Sequence, residues 1–163
     1  ALGITYLKRS AQGGCSEAWQ SLGIGYSTAS ILPKNNDRAF RAFSESARLG
    51  NTSGIFNLGI CYREGIGVEI NKAEAARLNM IALSRGSLKA NCIAGVDFLF
   101  GRGVPISVQR AKEYLIVGRF EDALFPLGLI ARIEGRLEDS VTLFKKAHVK
   151  GDIRATMRLA DMY

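Results

Sequence analysis

Small and large apolar residues recur along this chain with a period of about 36 residues. Counting from a turn residue at the start of each unit, positions four and nine are small, and positions eight and twelve are mostly large and apolar. The turn residues are Gly14, Gly50, Gly86, Arg119 and Gly151. Position nine holds Gly23, Gly59, Gly95, Gly128 and Ala160. Spacings of four and five are typical of one helix face. We call this predicted element helix A. Glycine inside a helix costs about 1 kcal/mol relative to alanine, so its recurrence predicts a neighbouring helix too close for a Cβ.

A second predicted helix, helix B, follows helix A in each unit. The predicted ranges are 37–49, 72–85, 110–118 and 138–150. Asn35, Asn71 and Ser107 precede the first three, and their side chains suit the N-cap position. Gly50 and Gly86 follow helices B, where a left-handed end favours glycine. Residues 1–12 resemble a preceding helix B, and the chain ends in a helix A, so the pattern predicts alternating helices and no strands.

A repeat of this length predicts a solenoid, because one hairpin cannot bury its own apolar face and must stack on the next. We predict a single all-α domain over 1–163, a right-handed α–α superhelix of about four helix-turn-helix repeats. The repeats run roughly 14–49, 50–85, 86–118 and 119–150, with half-repeats at both ends. The chain lacks an initiator Met, and we expect it to be a fragment of a longer array. Pro126 predicts that the fourth helix A starts near Asp122 or bends there.

The two middle units carry a specific motif. It consists of a small residue, Leu-Gly (Ala94-Gly95 in the second of the two units), an aromatic residue, a Gly-x-Gly-Val loop, a cap residue and Ala. The first unit has Ala29–Leu32 in place of the glycine loop, and the fourth is closer to a plain tetratricopeptide repeat. The motif residues are Gly54, Leu58, Gly59, Tyr62, Gly65, Gly67, Val68, Asn71 and Ala75, then Ala90, Gly95, Phe98, Gly101, Gly103, Val104, Ser107 and Ala111. This motif resembles the Sel-1-like repeat (SLR) family, which is related to the tetratricopeptide repeats. The resemblance implies an α-solenoid that serves as an adaptor or scaffold.

The composition adds few constraints. Nearly half of the residues are hydrophobic, and no apolar run approaches the roughly 20 residues that a membrane helix needs. The net charge of +7 is spread along the chain and favours anionic partners in general. Three cysteines, Cys15, Cys61 and Cys92, cannot all pair and lack metal-ligand spacing. We therefore predict reduced thiols in an intracellular, cytoplasmic protein.

The chain offers little catalytic chemistry. His148 is the only histidine, and no paired-carboxylate or nucleophile–base motif accompanies it. Gly65-x-Gly67 and Gly101-x-Gly103 lack the third glycine and the flanking strand of a phosphate loop. We predict that the chain is not an enzyme and has no catalytic, metal or cofactor site.

In tetratricopeptide relatives, positions three, six, seven, ten and thirteen after the turn line a concave groove. The resemblance therefore implies a partner-binding groove formed by Phe56, Asn57, Ile60, Arg63, Lys89, Cys92, Val96, Phe125, Leu129 and Arg132. Such a groove would be apolar with a basic edge that includes Arg154, and would accept an apolar protein or peptide segment with some acidic residues. Asn57 matches the family's Asn before Leu-Gly, which can hold a ligand backbone. If these residues form a groove, substituting Phe56 and Phe125 by Ala should abolish partner binding and leave stability nearly unchanged.

Other interpretations stay open. The apolar strip could instead pack one helix A against the next, and Trp19, one position off the strip, is interpreted as a core residue. An RNA-binding helical array is the alternative function, although its reading face would be polar. Regulation of an enzyme elsewhere in a longer chain is compatible with an adaptor role. Exposed end helices around Leu2–Leu7 and 159–163 could mediate self-association.

Overall fold

Helices account for all regular secondary structure in the part of the chain that the structure describes. A computed structural model describes residues 2–118 and 121–162. The helices are α1 (Leu2–Gln12), α2 (Ser16–Thr28), α3 (Asn36–Arg48), α4 (Thr52–Glu64), α5 (Lys72–Ser84), α6 (Leu88–Phe100), α7 (Val108–Gly118), α8 (Leu124–Ile133), α9 (Leu137–Val149) and α10 (Ile153–Ala160). Even-numbered helices are the predicted helices A, and odd-numbered ones are the predicted helices B. The all-α prediction is confirmed. Arg119 and Tyr163, two predicted register residues, lie outside the described residues.

The chain divides into two compact units between Ser87 and Leu88. In the first unit, α1 to α5 pack in chain order, each helix on the next, and α2 also contacts α4. Its core contains Leu22, Tyr26, Phe43 and Cys61, all buried. This serial contact between neighbouring helices is the stacking that the repeat period predicts.

The second unit contains α6 to α10. Here α6 packs on α7, α8 on α9 and α9 on α10, and α7 contacts α8. Phe144, Leu115 and Ile130 are fully buried. A 3₁₀ turn, Glu121–Ala123, precedes α8. Pro126 therefore lies in the first turn of α8, where its missing N–H removes no helical hydrogen bond. The predicted start near Asp122 agrees with the onset of this turn.

The predicted caps close the helices B. The side chain of Asn35 accepts a hydrogen bond from the backbone N–H of Arg38 at 2.9 Å, and Asn71 accepts from Glu74 at 3.0 Å. Ser107 accepts from Arg110 at 3.3 Å. Each acceptor satisfies an amide that the first helical turn leaves unpaired.

The recurring glycine of helix A lies where a helix B crosses it. A Cβ on Gly95 would lie 2.5 Å from the Leu115 side chain, and one on Gly128 would lie 2.6 Å from the Phe144 ring. Both distances are shorter than van der Waals contact. The close approach predicted from the sequence is therefore confirmed at these positions, and it sets how tightly the two helices of a repeat pack.

Candidate functional site

On α4, four of the predicted groove residues lie together. Phe56, Ile60 and Arg63 are spaced three and four residues apart and share one side of the helix, with Asn57 beside them. All four are half-buried. We call these four residues the α4 strip. Helix α4 packs against α3 and α5 and also contacts α2, and this packing leaves the four side chains only partly covered.

The neighbouring α2 adds to this surface. Ile24 holds the same register position in α2 as Ile60 does in α4, and its side chain is 40% exposed. Packing of α2 on its neighbours therefore leaves this register position partly open. The α4 strip thus combines partly covered and partly exposed apolar surface.

The remaining predicted groove residues lie in the second unit. On α6, Lys89 is exposed while Cys92 and Val96 are half-buried. On α8, Arg132 is exposed and Leu129 is half-buried. Each of these helices therefore carries one exposed basic residue and half-buried, mostly apolar residues from the predicted set.

Phe125 corrects the sequence-based expectation. Its side chain is only 8% exposed and belongs to the core of the second unit. The ring centroid lies 5.7 Å from that of Phe144 on α9. The guanidinium carbon of Arg154, on α10, lies 4.6 Å from the same ring centroid. A phenylalanine enclosed in this way stabilises the fold and cannot receive a partner without rearrangement.

Arg154 was expected at the basic edge of the groove, but its charge is already engaged. Its guanidinium forms an ion pair with Asp152 at 2.6 Å. The same contact holds the pKa of the Asp152 carboxyl below its usual value, chiefly through the hydrogen bond from Arg154. Burial raises the pKa of the Cys92 thiol, and the negative charge of Asp122 raises it further. The positive charge of Arg154 is therefore compensated by Asp152 within the second unit.

The described residues contain no cluster of three or more His, Cys, Asp or Glu side chains that could hold a metal ion. His148 is exposed, and its Nδ1 lies 2.8 Å from Thr156 Oγ1 on α10. Cys61 is fully buried, and desolvation raises its pKa to about 11, so its thiol is neutral at physiological pH. The surroundings of His148 and Cys61 therefore give no support to an acid–base or nucleophilic role for either residue.

Sequence reasoning missed one surface, a cavity of about 270 Å³ on the side of α2 away from Ile24. Its walls come from α1, α2 and α3, and they include Trp19 and Tyr26. Trp19 is half-buried and packs against the core, as interpreted, but it also faces this cavity. Only residue spacing within α2 could have hinted at the cavity, since the other walls belong to different helices.

Across residues 2–118 and 121–162, no helix combines the length and apolar character needed to cross a bilayer.

Comparison with known proteins gives similar curated proteins and similar solved structures. No family model matches the chain. Among curated proteins, the chain is 29% identical over 175 residues to "Chitin synthase regulator SKT5" of Saccharomyces cerevisiae, an alignment that covers 98% of the chain and 25% of the relative. It is 31% identical over 84 residues to "DAP3-binding cell death enhancer 1" of Rattus norvegicus, covering 52% of the chain and 16% of the relative. The chain thus spans a quarter or less of the length of these curated relatives.

Solved structures share the fold over nearly the whole chain. The crystal structure of c5321, described as a protective antigen of uropathogenic Escherichia coli strains with an SLR fold, superposes with a TM-score of 0.81 at 26% identity. That match covers 98% of this chain and 36% of c5321. A Sel1 repeat protein from Oxalobacter formigenes superposes with a TM-score of 0.77 at 24% identity, covering 98% of this chain and 48% of the other. These matches confirm the resemblance to the Sel-1-like repeat family that the sequence indicated.

Proposed function

We propose that this chain, a Sel-1-like repeat solenoid, is an interaction module that binds an apolar peptide segment with some acidic residues along the helix-A side of its first unit. The structural similarities support a helical-repeat module for protein interaction and do not favour the RNA-binding alternative. The finer proposal names the α4 strip and Ile24 as the contact surface.

One observation carries the proposal. On α4, Ile55, Gly59 and Cys61 are buried, whereas Phe56 and Ile60 keep part of their surface exposed. Partly exposed apolar residues beside Asn57 and Arg63 offer a partner both apolar contact and polar groups for its backbone and acidic side chains. A buried apolar contact of this kind is worth about 25 cal/mol per Å² removed from water.

The test uses a displayed library of random short peptides selected on the immobilised chain. Enriched peptides are synthesised and titrated against variants by fluorescence anisotropy. We expect Ile60→Ala to weaken binding about tenfold, and Ile70→Ala, an isoleucine that is 62% exposed in the loop after α4, to change it less than twofold.

The Phe56→Ala variant tests the same surface at a second residue, and helical circular dichroism confirms that this variant is folded. Equal affinity of the Ile60→Ala and Ile70→Ala variants for every selected peptide would contradict the proposed surface. Selection of no peptide, together with salt-sensitive binding of single-stranded RNA, would favour the RNA-binding alternative instead.

A further inference from the structure

The cavity between α1, α2 and α3 combines an apolar floor with a basic rim. We propose that it is a second docking site, which receives one aromatic or large aliphatic side chain of an acidic peptide segment. The site is independent of the α4 strip, because it lies on the opposite side of α2 from Ile24.

The floor is apolar and aromatic. Trp19 and Tyr26 of α2 line the cavity, together with Leu22, which is 3% exposed. These three residues lie five, eight and twelve positions after Gly14, whereas Ile24 lies ten positions after it. At 100° per residue, the three cluster on one side of α2 and Ile24 lies nearly opposite.

The rim is basic and lacks internal compensation. Lys8 of α1 and Arg38 and Arg41 of α3 line the cavity, and none forms an ion pair with a described residue. Arg38 lies over the Tyr26 ring, 5.7 Å from its centroid. By contrast, Arg48 on the same α3 is paired with Glu45 at 2.9 Å. Three uncompensated cations around one cavity form a positive patch, which complements carboxylates on a partner.

The size of the cavity favours a side chain over a free ligand. Its volume of about 270 Å³ lies below the roughly 300–1,000 Å³ typical of small-molecule sites. A nucleic-acid strand is also disfavoured, because base stacking needs open aromatic faces. Tyr26 is only 8% exposed and already covered by Arg38, which leaves Trp19 alone. A single anchor side chain flanked by acidic residues fits these dimensions and charges.

Trp19 provides the readout. It is the only tryptophan of the chain, so its fluorescence emission reports directly on the cavity. The probe is a short synthetic peptide of Asp and Glu residues with one central Phe, titrated at about 50 and 150 mM salt. We expect a saturable change in Trp19 emission that weakens at the higher salt. The same peptide with Ala in place of Phe should bind at least about tenfold more weakly.

Adjacent residues on α1 provide matched variants. Lys8→Glu reverses a charge on the cavity rim, whereas Arg9→Glu makes the same net charge change at a residue that does not line the cavity. We expect Lys8→Glu and Arg41→Glu to reduce affinity about tenfold or more, and Arg9→Glu less than threefold. Helical circular dichroism checks that each variant is folded.

Three results would overturn this proposal. One is an unchanged Trp19 emission at saturating peptide, and another is equal loss of affinity in Lys8→Glu and Arg9→Glu. The third is binding of a single-stranded oligouridylate, but not of the peptide, in a Lys8-dependent manner. Because the variants lie outside the α4 strip, failure here leaves the groove proposal untouched, and the Ile60→Ala experiment tests that proposal separately.

Discussion

The ring of Phe43 on α3 lies directly against the backbone of Gly23 on α2, and a Cβ built on Gly23 would approach within 2.5 Å of two ring carbons. Gly59 holds the same register position in the next repeat, yet a Cβ there would come no closer than 3.4 Å to the carbonyl oxygen of Ala75. The same glycine position therefore has a strict steric role in one repeat and a looser one in the next.

This difference predicts that a glycine-to-alanine substitution has different effects on stability at the two positions. Gly23→Ala should destabilise the chain by about 1–2 kcal/mol, because the overpacking against a buried ring outweighs the gain in helix propensity. Gly59→Ala should be neutral or stabilise by up to about 1 kcal/mol, since the propensity gain meets only a tight contact. Urea unfolding followed by circular dichroism measures both. Equal destabilisation by the two variants would contradict this account of the packing.

Ala29 is the only non-glycine residue with positive φ among the described residues, at 57°. It ends α2 at the register position that Gly65 holds at the end of α4, where φ is 72°. A left-handed conformation costs an alanine roughly 1 kcal/mol relative to glycine. We expect Ala29→Gly to raise the free energy of unfolding by about 1 kcal/mol, and Gly65→Ala to lower it by at least as much. Thermal and urea unfolding of both variants test this, and a destabilised Ala29→Gly would show that the strain is relieved in another way.

Alanine substitution of the two phenylalanines of the predicted groove should have very different effects on stability. Phe125→Ala should destabilise the second unit by about 3–5 kcal/mol, because it removes a buried ring that packs on Phe144. Phe56→Ala removes a half-exposed ring and should cost only about 1 kcal/mol. Urea-induced loss of helical signal separates the two effects. If Phe125→Ala were as stable as the parent chain, its ring would not be a core residue.

The burial of Cys61 predicts a dependence of stability on alkaline pH. The folded-state pKa is about 11, whereas an unfolded cysteine titrates near 8.5–9. Between these values the unfolded chain loses the proton and the folded chain keeps it, so the unfolded state is favoured as pH rises. Ionisation of Cys61 therefore leaves the free energy of unfolding unchanged below about pH 8.5. By pH 11 it should have lowered that free energy by about 2 kcal/mol.

The measurement is the free energy of unfolding at several pH values for the parent chain and for Cys61→Ala. Groups such as lysine and tyrosine titrate in both, so the difference in slope isolates Cys61. A Cys15→Ala variant, at a half-exposed thiol, is the control. A thiol reagent at pH 8 should also modify native Cys61 far more slowly than Cys15. Identical slopes for the parent and Cys61→Ala chains would contradict the burial argument.

Short spacings along the amino-acid sequence were enough to predict the local and repetitive features of this protein. Asn71 predicts a helix start because its side chain can accept a first-turn amide, and Gly95 predicts a close helix crossing because a Cβ would be costly there. Both features depend on short spacings along the chain, and both are present in the structure. The same spacings placed Phe56 and Ile60 on one side of α4.

Which side chains of that register are covered depends instead on packing between helices. Phe56 and Phe125 hold the same register position, but Phe144 and Arg154 enclose Phe125, and they come from the next two helices. The cavity beside Trp19 likewise needs Lys8 and Arg41 to meet across three helices. Exposure and charge compensation are sums over neighbours that are distant in sequence, so a repeat pattern, which describes one helix face at a time, does not contain them.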